Sequence, residues 1–445
     1  MKTHAAPVVT LALGAILPAQ TSWTQLAPTT SPQPVTAHSM TYYLPTNSTI
    51  LFGGTAGGQR RDETWSFDGT DWTQLTPNNV PLARVAHSSC YDVNRGRLVM
   101  FGGLGVGGVV LDDTWEWDGT DWAQVTPTTP LPGRWAFCMC YHPVRGTTLL
   151  YGGYAGQNLD ELWEYDGTTW SQIVTVTTPG ARRATAMEWD PVSGNVILFG
   201  GFPLSNDTWS FDGVDWTQLS PTTTPPARYD HAMATDLSRS RIVMFGSPTD
   251  NETWEWDGFD WINRSNASAP SQRLDTYLAY DWVREEVTMY GSAPTAETWR
   301  YAPDNPASFE VLGQASCLGS NGQAVTVSGS DRPWLGETFE ISLGNLPSNG
   351  IGLMVLGLSD TTSAIGPLPA PLDSIGMTGC LLQVDPLLLD AVLASGSNAT
   401  WQLPIPNSQA LAATEFYAQG GALDLPANTF GITVGNYGHA VLGGK

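Results

Sequence analysis

Five arginines recur at a regular interval along a chain that is otherwise poor in positive charge. The set is Arg84, Arg134, Arg182, Arg228 and Arg273. A planar guanidinium binds a carboxylate through two parallel hydrogen bonds, so arginines gathered around one opening would bind an anionic ligand. An acidic sugar or a peptide carboxylate fits that description. The alternative is that each arginine pairs with a carboxylate of the protein itself and braces the fold.

Histidines follow two of these arginines three residues later, at His87 and His231. A histidine beside a bound ligand can act as an acid or base toward it. Both histidines therefore join the five arginines as candidate ligand-binding residues. The chain has no Cys-x-x-Cys or Cys/His zinc spacing, and no Gly-x-Ser-x-Gly, phosphate-loop or metalloprotease motif. From these patterns we predict no metal site, no cofactor and no catalytic residue.

Charge limits the classes of partner. The chain has 445 residues and a formal net charge of −23, and its lysines are Lys2 and Lys445 alone. Binding to nucleic acid or to an anionic membrane needs a basic surface, which this composition does not supply. An exported protein, or one that binds cationic or neutral ligands, fits the charge. Abundant glycine and proline, with few helical patterns, favour an all-β fold.

The N-terminus has the pattern of a secretory signal peptide at residues 1–19. Lys2 and His4 give a short basic start, residues 5–17 are mostly apolar, and Ala19 is a small residue suited to cleavage. The apolar run is too short to span a bilayer, and no later segment is apolar and long enough to do so. The sequence therefore predicts a protein that is secreted or held at the cell surface. A buried first strand is the alternative interpretation of the same residues.

An exported chain permits disulfides. Cys317 and Cys380 lie in the same C-terminal region and are the best candidate pair among the five cysteines. Cys90 and Cys140 occupy one position in neighbouring repeats. The spacing of Cys138 and Cys140 is typical of two small residues on one face of a buried strand. Whether these three cysteines pair is left open by the sequence.

An internal repeat sets the elements that must position these side chains. Six times, an aromatic residue with Gly-Gly or Gly-Ser precedes an acidic residue, one further residue and a tryptophan. The tryptophans are separated by 50, 48, 46, 45 and 45 residues, and they are Trp65, Trp115, Trp163, Trp209, Trp254 and Trp299. A period of this length is typical of a repeat architecture.

Each repeat divides into four predicted strands, which in the second repeat fall at 84–91, 97–101, 114–117 and 122–125. A Gly-Gly turn with positive φ follows the second strand, and an Asp-Gly hairpin joins the last two. The sixth repeat lacks its fourth strand. The segment Ser22 to Leu26 matches Asp71 to Leu75 at every position but the first. We therefore expect the N-terminal strand to complete the last repeat and close a ring.

The Gly-Gly turn, the acidic-Thr-Trp strand, the second tryptophan and Arg-x-x-His together resemble the kelch β-propeller family. The resemblance covers about residues 20–303. It implies an all-β, six-bladed propeller with four-stranded blades around a central channel, closed by the N-terminal strand. Ser247 and Ser292 replace the second glycine of the turn, and Leu162 replaces the threonine. These departures concern individual turns and strands and not the fold.

Residues that recur in register are interpreted as scaffold. The tryptophans are expected to pack between blades, and the acidic residues before them to satisfy backbone donors at the Gly-Gly turn. The kelch class includes galactose oxidase, a copper enzyme, and sugar mutarotases that act on sialic acid. His38, His87 and His231 fall at one repeat position in separate blades, so the sequence shows no copper constellation. The loops after the Gly-Gly turns are long in the first three repeats and shorter in the last three, which indicates either an asymmetric binding surface or drift in loop length.

The C-terminal part differs in composition, with short apolar runs between Gly, Pro, Ser and Asn. These runs predict an accessory β-sandwich of about eight strands. The stretch Pro386 to Leu393 is read as a short helix or turn. The predicted domains are thus a signal peptide at 1–19, a propeller at 20–304 and a sandwich at 305–445.

The predicted function is that of a secreted, monomeric, non-catalytic propeller that binds a glycan or a protein at the channel mouth or on one loop face. The first alternative is a carbohydrate-active enzyme, such as a mutarotase, epimerase or oxidase-like protein, that uses the channel mouth. The second alternative is a structural protein of the cell surface. Neither a nucleic-acid partner nor a membrane span is predicted.

Overall fold

The computed structural model describes residues 21–291, 296–303, 308–312, 317–329, 333–334, 337–348, 350–363, 366–373, 377, 380–406, 411, 414–427 and 432–443. The predicted signal peptide and the predicted boundary at residues 304 and 305 lie outside these ranges. The chain divides into two compact units, one formed by Ser22–Ala302 and the other built on Pro303–Lys445. Within the described ranges, no helix has the length and apolar character needed to cross a membrane.

The first unit is built from antiparallel strands. In chain order they are β1 (Thr21–Leu26), β2 (Ser39–Tyr43), β3 (Ser48–Phe52), β4 (Thr55–Ala56), β5 (Gln59–Arg60), β6 (Thr64–Phe67), β7 (Trp72–Leu75), β8 (Arg84–Val85), β9 (Ser88–Asp92), β10 (Arg97–Phe101), β11 (Leu104–Gly105), β12 (Thr114–Trp117), β13 (Trp122–Val125), β14 (Cys138–His142), β15 (Thr147–Tyr151), β16 (Leu162–Tyr165), β17 (Trp170–Ile173), β18 (Ala186–Asp190), β19 (Asn195–Phe199), β20 (Thr208–Phe211), β21 (Trp216–Leu219), β22 (Ala232–Asp236), β23 (Arg241–Phe245), β24 (Thr253–Trp256), β25 (Trp261–Asn263), β26 (Tyr277–Asp281), β27 (Glu286–Tyr290) and β28 (Thr298–Pro303). Short 3-10 turns are described at Leu44–Thr46 and Val106–Gly108.

Most of these strands form four-stranded sheets. Numbered by their first strands, sheets 1 to 6 are β2-β3-β6-β7, β9-β10-β12-β13, β14-β15-β16-β17, β18-β19-β20-β21, β22-β23-β24-β25 and β26-β27-β28-β1. The first strand of each sheet contacts the first strand of the next, and β26 contacts β2. The six first strands therefore surround an axial channel. The chain is thus all-β in this unit, with repeated four-stranded antiparallel sheets.

The turn after the second strand needs glycine for two physical reasons. Gly102 and Gly103 have φ values of 57° and 96°, in the left-handed region that favours glycine. A Cβ on Gly102 would also lie 2.8 Å from the carbonyl oxygen of Arg134, closer than such atoms approach. The single strand predicted at 84–91 is interrupted in the structure, because Ala86 also has a left-handed φ, of 51°.

Strand β1 supplies the fourth strand of sheet 6, as the sequence predicts. It lies beside β28 at the edge of that sheet. The buried Trp23 donates its indole N–H to Thr253 Oγ1 at 2.8 Å. Its ring centroid lies 5.1 Å from that of Phe245 and 5.0 Å from that of Tyr301. The N-terminal strand is therefore joined to the last sheet by both backbone pairing and aromatic packing.

Tryptophan-to-threonine hydrogen bonds link neighbouring sheets. The indole N–H of the second tryptophan donates to the threonine that begins the third strand of the preceding sheet, at 2.8 to 3.1 Å, in the pairs Trp23–Thr253, Trp72–Thr298, Trp122–Thr64, Trp170–Thr114 and Trp261–Thr208. Sheet 4 is the exception. Leu162 takes the threonine position in the preceding sheet 3, and Trp216 Nε1 of sheet 4 is buried without a hydrogen-bond partner among the described residues.

The second unit contains two larger sheets and two ribbons. Its strands are β29 (Ser308–Leu312), β30 (Thr326–Gly329), β31 (Thr338–Gly344), β32 (Ile351–Gly357), β33 (Thr362–Ser363), β34 (Gly366–Pro367), β35 (Ala370–Pro371), β36 (Leu381–Leu382), β37 (Leu388–Leu393), β38 (Ala399–Pro404), β39 (Glu415–Leu423) and β40 (Ile432–Val441). The larger sheets have the orders β29-β40-β39-β32-β37 and β30-β31-β38. Phe339, Ile341 and Trp401 belong to the core between them.

The stretch Pro386 to Leu393 differs from its prediction as a helix or turn. Leu388–Leu393 forms β37, which pairs antiparallel with β32 as an edge strand. Its backbone finds its partners in the sheet, although Leu389 and Leu393 are 63% and 83% exposed. Apolar residues without a helical or alternating period do not distinguish an edge strand from a helix, because the deciding contacts are distant in sequence.

The structure joins Cys317 and Cys380 in a disulfide, in the second unit, across a sequence separation of 63 residues. Met377 and Val434 pack beside it. The remaining cysteines, Cys90, Cys138 and Cys140, are free and buried.

Candidate binding site at the channel mouth

The five candidate arginines are enclosed within the sheets. Each is at most 7% exposed, and none of them lines either channel cavity described below. Each forms an ion pair with an acidic residue in the loop that leads into the third strand of the same sheet. The pairs are Arg84 with Asp113 at 2.7 Å, Arg134 with Glu161 at 2.9 Å, Arg182 with Asp207 at 2.8 Å, Arg228 with Asp250 at 3.5 Å and Glu252 at 3.6 Å, and Arg273 with Glu297 at 3.0 Å. This placement supports the interpretation of the arginines as braces.

The acidic residues have a role that differs from the expected one. Asp113 accepts two hydrogen bonds from the Arg84 guanidinium and one from Trp115 Nε1 at 2.7 Å. The N–H of Gly102 bonds to the backbone carbonyl of Asp113 at 3.1 Å, and not to its carboxylate. Burial alone would raise the pKa of Asp113, but the Arg84 and Trp115 contacts hold it below its ordinary value. The carboxylate thus satisfies a buried guanidinium and an indole.

The candidate histidines are packing residues beneath the Gly-Gly turns. The rings of His87 and His231 lie 5.7 and 5.8 Å from those of Phe52 and Phe199 in the preceding sheet. Neither ring nitrogen of either histidine has a hydrogen-bond partner among the described residues. Burial lowers the pKa of His231 to about 3, so this imidazole is neutral. His231 and Phe137 occupy the same position in sheets 5 and 3. Both border the smaller of the two channel cavities described next.

The channel contains two cavities. The smaller, of about 110 Å³, is formed by residues at the start of the first strands, and we call it the collar cavity. The larger, of about 320 Å³, is formed by residues toward the end of the same strands, and we call it the aromatic cavity. Both are bordered by Met40, Ser89, Met139, Glu188 and Leu278.

A collar of six residues precedes the first strands. All have φ values between 50° and 54°, and they are Ala37, Ala86, Ala136, Ala184, Asp230 and Asp275. Backbone N–H groups link five of them in series: Ala86 to Ala37 at 2.9 Å, Ala136 to Ala86 at 2.8 Å, Ala184 to Ala136 at 2.7 Å and Asp230 to Ala184 at 2.9 Å. Aspartate tolerates a left-handed φ better than most residues, so the collar can carry a carboxylate here.

Asp230 and Asp275 bring two carboxyl groups to one side of the collar cavity. Burial and the neighbouring Asp275 raise the pKa of Asp230 to about 7, against an opposing effect of Arg183. Burial also raises the pKa of Asp275. Near neutral pH the two groups therefore offer both a hydrogen-bond donor and several acceptors to a ligand. Tyr277 lines the same cavity.

An aromatic wall stands beside Asp230 on the loops of sheets 3 to 5. We define it as Trp135, Tyr154, Phe202 and Tyr229 with Arg183. The ring pairs Trp135–Tyr154 and Phe202–Tyr229 lie 5.3 and 5.8 Å apart. The Arg183 guanidinium carbon lies 4.2 Å from the centre of the Phe202 ring and 5.1 Å from that of Tyr154. Arg183 also donates to Asn158 Oδ1 at 2.7 Å, so the wall is held as one cluster.

This collar and wall form the candidate site, and sequence reasoning did not find it. Asp230 is one of the two variable residues between Arg228 and His231, so the Arg-x-x-His pattern does not mark it. The available signal was the residue one position before the histidine, which is alanine in four repeats and aspartate in two. Among the described residues, no group of three or more His, Cys, Asp or Glu side chains is arranged to hold a metal ion.

Comparison with known proteins adds little to this geometry. No protein-family model matches the chain, and no curated protein matches it. A solved structure titled "Structure of YjhT" is similar, with a TM-score of 0.47 and 13% sequence identity over 62% of this chain and 96% of that chain.

Proposed function

We propose that the first unit is a six-bladed kelch-type propeller whose collar and aromatic wall bind a glycan, in a monomeric protein that is secreted or held at the cell surface. The sequence repeat, the ring of contacts between first strands and the closing strand β1 support the propeller. The second unit is proposed to be an accessory β-sandwich. The export step rests on the signal-peptide pattern at residues 1–19.

The observation that carries this function is the pair Asp230 and Asp275 beside the aromatic wall. A sugar ring has hydroxyl groups at its edge and apolar C–H groups on its faces. Carboxyl groups exchange hydrogen bonds with hydroxyls, and aromatic rings bury the apolar faces. Each wall side chain is half-buried or exposed, so it can present ring surface to a ligand.

The charge of the site favours a neutral or cationic glycan over an acidic one. Three carboxyl groups border the collar cavity, those of Glu188, Asp230 and Asp275. The five repeat arginines are already paired with the protein's own carboxylates. An acidic sugar would meet like charge at the mouth. This differs from the anionic ligand that the arginine spacing first suggested.

A glycan array with the full chain tests the proposal. The double variant Asp230→Asn, Asp275→Asn is expected not to bind the neutral glycans that the wild type binds on the array. Asp160→Asn is the matched control, because Asp160 is an exposed aspartate on a loop at the same end. Binding to no glycan, or binding that survives the double variant, would contradict a glycan site at the collar.

A carbohydrate-active enzyme is the second candidate, and one observation favours it. A carboxyl group with a pKa of about 7 is suited to donate and accept protons near neutral pH. Asp230 would then act as acid or base toward the ring-opening hydroxyl of a sugar. Saturation-transfer NMR between sugar anomers measures this directly. Loss of about a hundredfold in rate is expected for Asp230→Asn if the reaction exists. If the wild type does not accelerate the exchange between anomers, the enzyme hypothesis is wrong and only the binding hypothesis remains.

A further inference from the structure

The aromatic cavity is lined by rings that do not belong to the aromatic wall of the glycan site. Aromatic side chains line it from five of the six sheets, and they are Tyr42, Tyr91, Tyr141, Trp189, Tyr280 and Trp282. The first five occupy one position, the fourth residue of a first strand, where sheet 5 has Thr235. Aromatic rings present a negative face, which attracts cations and packs against apolar groups.

Glu188 is the one carboxylate among the described residues that line this cavity, and none of those residues is basic. It is the third residue of β18. The same position in the other first strands holds a small side chain, namely Thr41, Cys90, Cys140, Ala234 and Ala279. The glutamate therefore departs from the scaffold of the repeat and adds an ionisable group to the channel at a single point.

Burial of Glu188 favours a neutral carboxylic acid in the free protein, against the effect of its hydrogen bonds. The Thr235 hydroxyl lies 2.6 Å from the carbonyl oxygen of Trp189 and 3.3 Å from Glu188 Oε2. The Thr235 hydroxyl is the donor in both contacts, so it favours the carboxylate form of Glu188, but burial has the larger, opposing effect. Burial raises the pKa of Glu188 to about 8. By contrast, the buried Glu255 pairs with Arg239 at 2.6 Å and with Arg264 at 3.0 Å.

The thiols and tyrosines near Glu188 stay uncharged around neutral pH, whereas Asp230 and Asp275 lie at the collar cavity, which Glu188 also borders. The thiols that face it from neighbouring strands are Cys90 on β9 and Cys138 and Cys140 on β14, and burial raises the pKa of each. Burial likewise raises the pKa of the cavity tyrosines Tyr42 and Tyr280. Charge inside the cavity is therefore controlled by Glu188 alone among these groups.

We propose that the aromatic cavity binds a small organic monocation with a methylated ammonium group, which packs against the aromatic rings and takes Glu188 as its counter-ion. On binding, the O–H bond of Glu188 breaks and its proton passes to solvent, so that the positive charge of the ligand replaces the proton. The net charge of −23 favours cations over anions near the protein. The proposal does not rest on the glycan function, which uses the collar and the wall, although Glu188 borders both cavities.

Calorimetry with the full chain tests the proposal, with choline as the cation and 3,3-dimethylbutan-1-ol as its neutral isostere. At pH 6.5, titrations in two buffers of different ionisation enthalpy are expected to show release of about one proton per choline bound. The affinity for choline should rise about tenfold per pH unit below pH 8 and level off above it. The isostere should bind at least about tenfold more weakly above pH 8, without pH dependence.

Two variants locate the effect. Glu188→Gln keeps the shape and is expected to lose about tenfold or more in choline affinity, together with the proton release. Asp230→Asn changes the collar cavity and is expected to leave choline binding unchanged. Circular dichroism verifies the fold of each. A third variant, Thr235→Val, should raise the pH at which affinity levels off, because it removes a hydroxyl that donates to the Glu188 carboxylate.

The outcomes separate this site from the glycan site. Absence of choline binding at millimolar concentration, equal affinity for the isostere, or unchanged proton release in Glu188→Gln would each overturn the cation site. Loss of choline binding in Asp230→Asn but not in Glu188→Gln would also overturn it, because the cation would then lie at the collar. None of these results decides the glycan proposal, because glycan binding by the wild type is measured separately on the array.

Discussion

At the residue scale, similar residue types have different roles according to what surrounds them. Arg84 is buried and paired with Asp113, whereas Arg183 stands among aromatic rings beside Asp230. Sequence spacing identified the first kind because it recurs. It missed the second because a residue that occurs in one repeat has no pattern. Recurrence therefore indicates scaffold, and departures from the repeat mark the candidate sites.

Replacement of Arg84 by Ala is expected to lower the free energy of unfolding by about 3 kcal/mol, because it leaves Asp113 without its main partner in a largely buried site. Arg300→Ala is the control, since Arg300 is 46% exposed and lies 3.7 Å from Glu286; it should cost less than about 1 kcal/mol. Urea unfolding measures both. If Arg84→Ala instead kept its stability and lost glycan binding, the arginines would be ligand-binding residues after all.

The buried histidines are expected to weaken the fold as pH falls. The pKa of His38 and that of His231 are about 3 in the folded protein, whereas an unfolded histidine has its pKa near 6.5. Between these values the unfolded chain binds more protons, so each such histidine lowers stability by about 1.4 kcal/mol per pH unit on acidification. Below about pH 3 its contribution changes no further.

His231→Phe isolates that contribution, since Phe137 already fills the same position in sheet 3. The difference in unfolding free energy between variant and wild type should grow in favour of the variant from pH 7 to pH 5. This comparison cancels Glu188 and Asp230, whose raised pKa values of about 8 and about 7 act in the opposite direction over that range. A difference that is constant with pH would contradict the assignment of neutral buried histidines.

At the element scale, the strands of the sheets are predictable from sequence. The points where a strand is interrupted, or where a hydrogen bond between sheets is missing, are predictable only in part. The third and fourth strands of sheet 2, β12 and β13, begin and end at the predicted residues. The break between β8 and β9 was not predicted, because a left-handed alanine at Ala86 leaves no mark in the sequence. The position of Leu162 did stand out as a departure. Its consequence, an unpaired Trp216 in the next sheet, required the contacts between sheets.

The tryptophan–threonine bonds between sheets are expected to contribute measurably to stability. Thr64→Val preserves shape but leaves the indole N–H of Trp122 buried and unpaired, which should cost about 1–3 kcal/mol. In a Trp122→Phe background the same substitution should cost much less, because no donor remains. A double-mutant cycle by chemical denaturation measures this coupling. Equal penalties in both backgrounds would show that the hydrogen bond contributes nothing beyond packing.

At the scale of the whole molecule, the chain consists of two compact units with different covalent constraints. The disulfide Cys317–Cys380 lies in the second unit, and the cysteines of the first unit are free. The sequence predicted this pair from its location but could not predict the sheet order of the second unit, which lacks a repeat. Long-range strand pairing there depends on contacts that no local pattern encodes.

Reduction of the disulfide is expected to lower the stability of the second unit by about 2–4 kcal/mol, because the bond limits the freedom of the unfolded chain. The first unit should be unaffected. Differential scanning calorimetry of the full chain, with and without a membrane-impermeant phosphine reductant, should show one transition that shifts and one that does not. Cys317→Ser with Cys380→Ser is the matched variant and should reproduce the shift. A common shift of both transitions would mean that the two units unfold together.

The pairing of β1 with β28 has a consequence in time. Strand β1, which completes sheet 6, is synthesised before the other described strands, and its neighbour β28 is made only after the five preceding sheets. The contact of Trp23 with Thr253 spans 230 residues, so it cannot form until sheets 1 to 4 and the first two strands of sheet 5 have been made. Contacts of such long range slow folding. Until β28 has been made, β1 has no neighbouring strand, and the growing chain is open to pairing with another molecule. Pairing of β1 with β28 thus removes an exposed strand edge at which two copies of the chain could associate.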